Sequence, residues 1–187
     1  MRLPSLPRHL PLAAAALLAA ACGDSATDGA GESELISRVE LRLTPTAGGA
    51  VQSAVIRDPD GNGPQAPLAQ TGSLVLARGA TYTGEVLLTN DLANPPVDIT
   101  AEVDQEATEH QFFYTVAGFG GGVTVDNRNT DANGLPYGRT FRVTVATGAS
   151  GTGTIRVVLS HYDGVTKTGS APGNETDVDL TFSASTN

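Results

Sequence analysis

Apolar and polar residues alternate along most of the chain after residue 35, with the period of two that predicts half-buried β-strands. In the segment 39–43, Val39, Leu41 and Leu43 alternate with charged residues. The same alternation covers 82–88, 97–103, 141–145 and 178–182, and shorter or less regular strands are predicted at 51–57, 73–77, 112–117, 122–126 and 154–161. Clusters of Gly, Asn, Asp and Pro separate these segments and predict turns.

About ten short strands of this kind predict an all-β domain, and we expect an antiparallel β-sandwich of Ig-like architecture. A closed barrel is the alternative. No α-helix longer than about two turns is expected, and a single helical turn could form at 106–110. The segments 97–104 and 112–117 could pair as a hairpin.

The first 21 residues have the pattern of a signal peptide. Arg2 and Arg8 precede an Ala/Leu stretch of about nine residues, which is shorter than the ~20 that a membrane-spanning helix needs. The stretch ends in three alanines followed by Cys22, an arrangement that resembles the lipobox of bacterial lipoproteins. We therefore predict that Cys22 is lipidated, against the alternative of a conventional cut at the same alanines.

Cys22 is the only cysteine, so it has no disulfide partner within the chain. The residues that follow it resemble the sorting pattern of outer-membrane lipoproteins, which predicts a lipid-anchored protein of the bacterial outer membrane. Residues 23–34 contain no large apolar side chain, and we expect residues 22–34 to form a disordered tether. Residues 35–187 then form the β-domain.

The charge of the chain argues against nucleic acid as a partner. Eleven Lys and Arg residues stand against twenty Asp and Glu residues, and Arg2 and Arg8 leave with the signal peptide. Phosphate binding needs clustered basic residues, which this composition lacks.

Catalytic motifs such as the G-x-S-x-G elbow or the P-loop are absent from the sequence, so no enzyme activity is expected. The leading hypothesis is a non-catalytic binding or structural module of the cell envelope, with a protein or glycan partner. Such modules display loops on a rigid β-scaffold. The alternative hypothesis is a metal-binding lipoprotein.

Two loops have the start of a calcium-binding pattern, in which oxygen ligands occupy alternate positions before a glycine. The first contains Asp58, Asp60 and Asn62, and the second contains Asn129, Asp131 and Asn133. Neither has the glutamate that completes such a loop at its twelfth position. Because Asp, Asn and Gly also form tight turns without a metal, simple hairpin turns are the preferred interpretation.

His110 and His161 are the candidate ligands for a transition metal, together with nearby carboxylates. His161 shares strand parity with Ile155, Val157 and Leu159, so its side chain is predicted to point into the core. His110 would lie near the tip of the hairpin between 97–104 and 112–117. The two histidines lack a recognised metal-binding spacing, and a core histidine that bonds to the backbone is the simpler interpretation.

Five segments resemble a family of bacterial lipoproteins best known from Bacteroidota-like genomes. They are Asp58-Pro-Asp-Gly, Thr81-Tyr-Thr-Gly, Asp98-Ile-Thr-Ala-Glu, Glu109-His-Gln-Phe-Phe-Tyr and Asp131-Ala-Asn-Gly. The resemblance implies an envelope location and brings no established activity. Members are sometimes labelled as a type 1 periplasmic-binding fold, but that fold needs alternating helices, which the pattern of this chain does not predict.

Overall fold

A computed structural model gives the structure of the protein and describes residues 34–61 and 63–187. The predicted signal peptide, the lipidation site Cys22 and the predicted calcium ligand Asn62 lie outside the described residues.

Ten strands and one short helix make up the described chain, which confirms the prediction of a mostly β domain. The strands are β1 (Arg38–Pro45), β2 (Gln52–Arg57), β3 (Thr71–Leu76), β4 (Thr81–Asn90), β5 (Val97–Asp98), β6 (His110–Gly118), β7 (Val123–Asp126), β8 (Thr140–Val145), β9 (Thr152–His161) and β10 (Glu175–Thr186). The helix α1 (Ile99–Gln105) has seven residues, and a 3₁₀ turn covers Phe119–Gly121.

The strands form one continuous, barrel-like sheet in the order β6-β9-β10-β3-β2-β1-β4-β8-β7, with β5 paired to β4. The order is therefore continuous, rather than divided into the two separate layers expected of an Ig-like sandwich. All neighbours are antiparallel except β10 and β3, which run parallel over a short stretch. The prediction of a purely antiparallel sheet is corrected at this one pair.

The core lies inside the sheet and is formed by the apolar face of each predicted strand. Leu41 and Leu43 of β1 are fully buried, as are Ile155, Val157 and Leu159 of β9. Burial of each such side chain stabilises the fold by about 1.5–3 kcal/mol. The period-two pattern thus identified the buried face correctly.

The strand predicted over 97–103 is wrong, because the chain leaves β5 and forms α1. The Asp98 carboxylate caps the helix by accepting a hydrogen bond from the Thr100 N–H at 2.9 Å. Ile99 and Val103 are buried and lie four residues apart, a spacing that places them on one helix face. The apolar positions of 97–103 therefore fit the period of a helix as well as that of a strand, and the Asp98 cap favours the helix.

Within residues 34–61 and 63–187, no helix is long and apolar enough to cross a bilayer.

The expected hairpin between 97–104 and 112–117 is consequently also wrong. β6 pairs with β9 instead, and the short segment 106–109 forms the turn between α1 and β6. This pairing moves His110 from a hairpin tip to the first position of a buried strand.

Candidate metal centre

Four buried side chains converge at one end of the β6–β9–β10 part of the sheet. They are Glu34, His110, His161 and Asp177, and one ligand atom of each lies within 4.8 Å of the others. His110 and His161 are fully buried, and both carboxylates are less than 8% exposed. Groups of this polarity are rarely buried together without a partner that satisfies them.

The two histidines meet because of the strand register. His110 is the first residue of β6 and lies directly opposite His161, the last residue of β9. Their rings stack with centroids 4.4 Å apart and an interplanar angle of 22°. The prediction that His161 points into the core is confirmed, and the structure adds that His110 is its cross-strand neighbour.

Asp177 reaches the cluster through a β-bulge. Thr176 pairs with Ser160 and Val178 pairs with Leu159, so Asp177 is an extra residue in β10. A bulge lets two successive residues face the same side of a sheet, and both Asp177 and Val178 are buried. The alternation predicted for 178–182, continued back by one residue, would put Asp177 on the outer face, and the bulge turns it inward instead.

Glu34 comes from the chain that precedes β1. Its Oε1 atom lies 3.0 Å from Nε2 of His110, and Oδ2 of Asp177 lies 3.7 Å from the same nitrogen. The sequence had placed Glu34 in the tether, because the residues around it are small and polar. In the described chain, Glu34 instead packs against the domain and carries a buried carboxylate.

The proton position on His110 follows from its second ring nitrogen. Nδ1 lies 3.1 Å from the backbone carbonyl of Glu106. Since a carbonyl can only accept, Nδ1 carries a proton and donates it. Nε2, which faces Glu34 and Asp177, then either carries a second proton or offers its lone pair to a cation. Metal-binding histidines are usually oriented by such a bond from the other ring nitrogen.

Glu34 and His110 shift each other's pKa. Burial lowers the pKa of His110, but the hydrogen bond and charge of Glu34, helped by the Glu106 carbonyl and the Asp177 charge, raise it above its usual value. Burial raises the pKa of Glu34, but the hydrogen bond and charge of His110, together with smaller contributions, lower it below its usual value. The site thus favours a negative carboxylate beside a positive group.

His161 is the least satisfied member of the cluster. Both of its ring nitrogens are buried and have no hydrogen-bond partner among the described residues. Its nearest carboxylate beyond the cluster is Glu175, whose Oε2 is 3.8 Å from Nδ1, outside hydrogen-bond range. An unsatisfied buried polar group costs about 1–3 kcal/mol. A cation among the four side chains would accept the imidazole lone pair and remove this cost at one of the two ring nitrogens.

The donor set and spacing fit a divalent transition metal. Imidazole and carboxylate ligands suit Zn²⁺ and its neighbours, which bind N and O atoms at about 2.0–2.2 Å. In a tetrahedron such ligand atoms lie about 3.4 Å apart. The separations of 3.0 and 3.7 Å from His110 Nε2 to Glu34 and Asp177 bracket this value. Two carboxylates would also balance the charge of one divalent ion.

A buried ion pair between Lys167 and Asp131 contacts the backbone of the cluster residue His110. Nζ of Lys167 donates to Oδ2 of Asp131 at 2.8 Å and to the backbone carbonyls of His110 and Ala107 at 2.7 and 2.9 Å. The three hydrogen bonds use all three donors of the ammonium group. Lys167 therefore fixes the backbone of His110, although nothing in the sequence assigned it a role.

The predicted calcium ligands that the structure describes lie outside this cluster, and their loops are held by turn hydrogen bonds. Asp58 accepts from the backbone N–H of Asp60 at 3.3 Å, and Asp60 accepts from that of Gln65 at 3.1 Å. The second loop uses its oxygens in the same way. Oδ1 of Asp131 accepts from the N–H groups of Asn133 and Leu135, and Asn129 accepts from Thr140. These contacts are typical of turns, and calcium binding at either loop stays a prediction.

Sequence reasoning therefore found two of the four clustered residues, His110 and His161, and missed Glu34 and Asp177. Comparison with protein-family models, with curated proteins and with solved structures found no match for this chain. The resemblance to the lipoprotein family stays a prediction, and the function is argued from the site.

Proposed function

We propose that this protein is a non-catalytic module of the bacterial cell envelope that binds one divalent transition-metal ion of the zinc class. The ligands are Glu34, His110, His161 and Asp177. The observation that carries the proposal is the buried imidazole of His161, which faces two carboxylates and a second histidine without a hydrogen-bond partner in the described chain.

The burial of the site supports a structural or storage role rather than catalysis. Structural zinc sites have four protein ligands and are closed, whereas catalytic sites keep one position for water or substrate. All four candidate ligands are buried. A bound ion would join the start of the domain to β6, β9 and β10, and its binding free energy would add to the stability of the fold.

The envelope location rests on the signal-like N-terminus and Cys22. A lipid anchor at Cys22 would attach the domain to the outer membrane. Membrane extraction followed by mass spectrometry tests this part: an acylated N-terminal Cys22 supports it, and an unmodified N-terminus on soluble protein contradicts it.

Metal binding is tested by isothermal titration of the full chain with Zn²⁺, after removal of metal with EDTA. A Cys22→Ser variant must be measured in parallel, because a lone thiol also binds zinc. We expect one equivalent of Zn²⁺ in both proteins. Co²⁺ should give the visible absorption bands of a four-coordinate nitrogen and oxygen site.

Asp177→Asn is the ligand variant with the best matched control. Asp179, two residues further along β10, is exposed and pairs with Arg156, so Asp179→Asn removes the same charge outside the site. We expect Asp177→Asn to weaken zinc binding by at least about 100-fold, beyond the 10–100-fold typical of second-shell changes, and Asp179→Asn to leave it unchanged. Equal affinities in the two variants would overturn the proposed site, as would the absence of zinc binding in the unsubstituted chain.

A further inference from the structure

We infer that the bound ion fastens residues 34–36 to the sheet, so that metal occupancy controls whether this segment is docked. The inference rests on the proposed metal centre and adds a consequence of where its four ligands come from. It concerns the chain at the junction between the predicted tether and the folded domain.

The four ligands are not held equally. His110, His161 and Asp177 belong to β6, β9 and β10, which pair with one another along most of their length. Glu34 precedes β1 and lies in a segment without regular secondary structure. It is therefore the one ligand of the four that can leave the site without breaking a strand pair.

The chain is firmly anchored only from Ser37 onward. The N–H of Ser37 donates to the Thr89 carbonyl at 3.1 Å, its carbonyl accepts from Asp58 at 2.9 Å, and its hydroxyl oxygen accepts from the Asp91 N–H at 2.7 Å. Ile36 packs into the core, whereas Leu35 is 42% exposed. The side chain of Glu34 is tied to the domain through His110.

The charge at the site makes docking depend on a cation. Docking Glu34 brings its carboxylate into a buried place beside that of Asp177, with like charges close together in a medium that screens them weakly. A divalent ion balances both carboxylates and also accepts the lone pairs of both imidazoles. A proton on His110 would supply only half of that charge.

Docking and metal binding are linked equilibria. The undocked chain keeps His110, His161 and Asp177, so the ion shifts docking by the ratio of its affinities for the four-ligand and the three-ligand site. The limiting shift, with no binding to the undocked chain, is about 100-fold at 100 Kd.

A single-tryptophan reporter tests the inference, because the chain contains no tryptophan. Leu35→Trp places the reporter next to Glu34 at a half-exposed position, and Leu92→Trp, at a similarly exposed position, is the matched control. We expect Zn²⁺ to raise the fluorescence anisotropy of the Leu35→Trp protein, saturating at one equivalent, and to leave the Leu92→Trp protein unchanged. Zn²⁺ has a filled d shell and no redox chemistry, so it is a suitable probe ion.

The response should disappear when Asp177→Asn is added to the Leu35→Trp protein and persist when Asp179→Asn is added instead. Hydrogen exchange at the Ser37 amide, which donates to the Thr89 carbonyl next to the segment, provides a label-free measurement in the unsubstituted chain, and we expect zinc to slow it. Stoichiometric zinc binding without a change in anisotropy or exchange would overturn the docking inference alone. Failure to bind zinc would overturn the proposed function, and the docking inference with it.

Discussion

Two buried polar groups contact His110, one through its backbone carbonyl and the other through its ring, and they differ in how completely their hydrogen bonds are satisfied. The Lys167–Asp131 pair has one charge of each sign, and every donor of the ammonium is used. The metal-centre cluster has two carboxylates and two imidazoles, and His161 has no hydrogen-bond partner among the described residues. In the first group the two charges balance each other, whereas in the second group a divalent cation would be needed to balance the two carboxylates.

The comparison shows that burial alone does not distinguish a structural ion pair from a binding site. Burial lowers the pKa of Lys167 and the Asp131 carboxylate opposes this shift. Burial raises the pKa of Asp131, but the hydrogen bond and charge of Lys167, together with the backbone N–H groups of Leu135 and Asn133, lower it below its usual value. Both groups are thus held in their charged forms by each other. What supports the proposed metal site in the neighbouring cluster is the presence of two buried carboxylates beside a histidine, His161, whose ring nitrogens have no hydrogen-bond partner among the described residues.

The largest effect is expected from Lys167→Met. The substitution leaves the buried Asp131 carboxylate without its cation, and breaking a buried pair in this way costs about 3–5 kcal/mol. Urea denaturation measures the loss. The double variant Lys167→Met with Asp131→Asn should recover much of the stability, because asparagine keeps the oxygen that accepts the turn N–H groups. A loss below about 1 kcal/mol in the single variant would show that the pair is not a desolvated ion pair.

Zinc should give the next largest effect. A ligand that binds only the folded state stabilises it by about 2.7 kcal/mol at 100 Kd. We expect the free energy of unfolding to rise by this amount in Zn²⁺ and to fall back when EDTA removes the metal. Asp179→Asn should show the full increment and Asp177→Asn none. An equal increment in both variants would locate the ion elsewhere.

His161→Leu tests, in the absence of metal, whether the histidine cluster is less well satisfied than the Lys167–Asp131 pair. The substitution removes an unsatisfied buried imidazole and places an apolar side chain in the core, so the gain in desolvation offsets part of the lost packing. We expect a change in stability within about 1 kcal/mol in EDTA and complete loss of the zinc increment. A loss above about 3 kcal/mol in EDTA would mean that the metal-free site already satisfies His161.

Calcium should give the smallest effect. Ca²⁺ prefers oxygen ligands and would bind the two histidines poorly. The loop that begins at Asp58 lacks the twelfth-position glutamate, so its dissociation constant is expected at about 10⁻⁴–10⁻³ M. Any rise in melting temperature at about 10 mM Ca²⁺ should vanish in Asp60→Ala and persist in Asp177→Asn. No rise at that concentration would leave the loop as a turn.

The local pattern predicted most of the strands because apolar and polar residues alternate along a strand that is buried on one face. β1, β4, β8 and β10 lie where the alternation is regular, and the inward direction of His161 follows from its parity with Ile155, Val157 and Leu159 in the less regular strand β9. The pattern failed at 97–103, where Ile99 and Val103 fit a helix face as well as a strand face. The hydrogen bonds between Thr100 and the backbone of Leu88 then hold α1 against β4.

The metal-centre cluster was harder to predict, because its members are far apart in the chain and each depends on a tertiary detail. Asp177 faces inward only because a bulge interrupts the alternation of β10. Glu34 carried no local signal, since its neighbours have the composition of a tether. A search for carboxylates that break strand parity beside a core-facing histidine could have suggested Asp177. No comparable rule would have suggested Glu34.

The sequence by itself determined the mostly β character of the domain, the faces of most strands and the acidic composition that argues against nucleic acid. These properties depend on residue order over a few positions and on composition. Only the tertiary structure decided that His110 lies opposite His161, that a bulge turns Asp177 inward and that Glu34 closes the group. Strand register and burial are set by long-range pairing and by competition for space in the core, and neither leaves a local pattern in the chain.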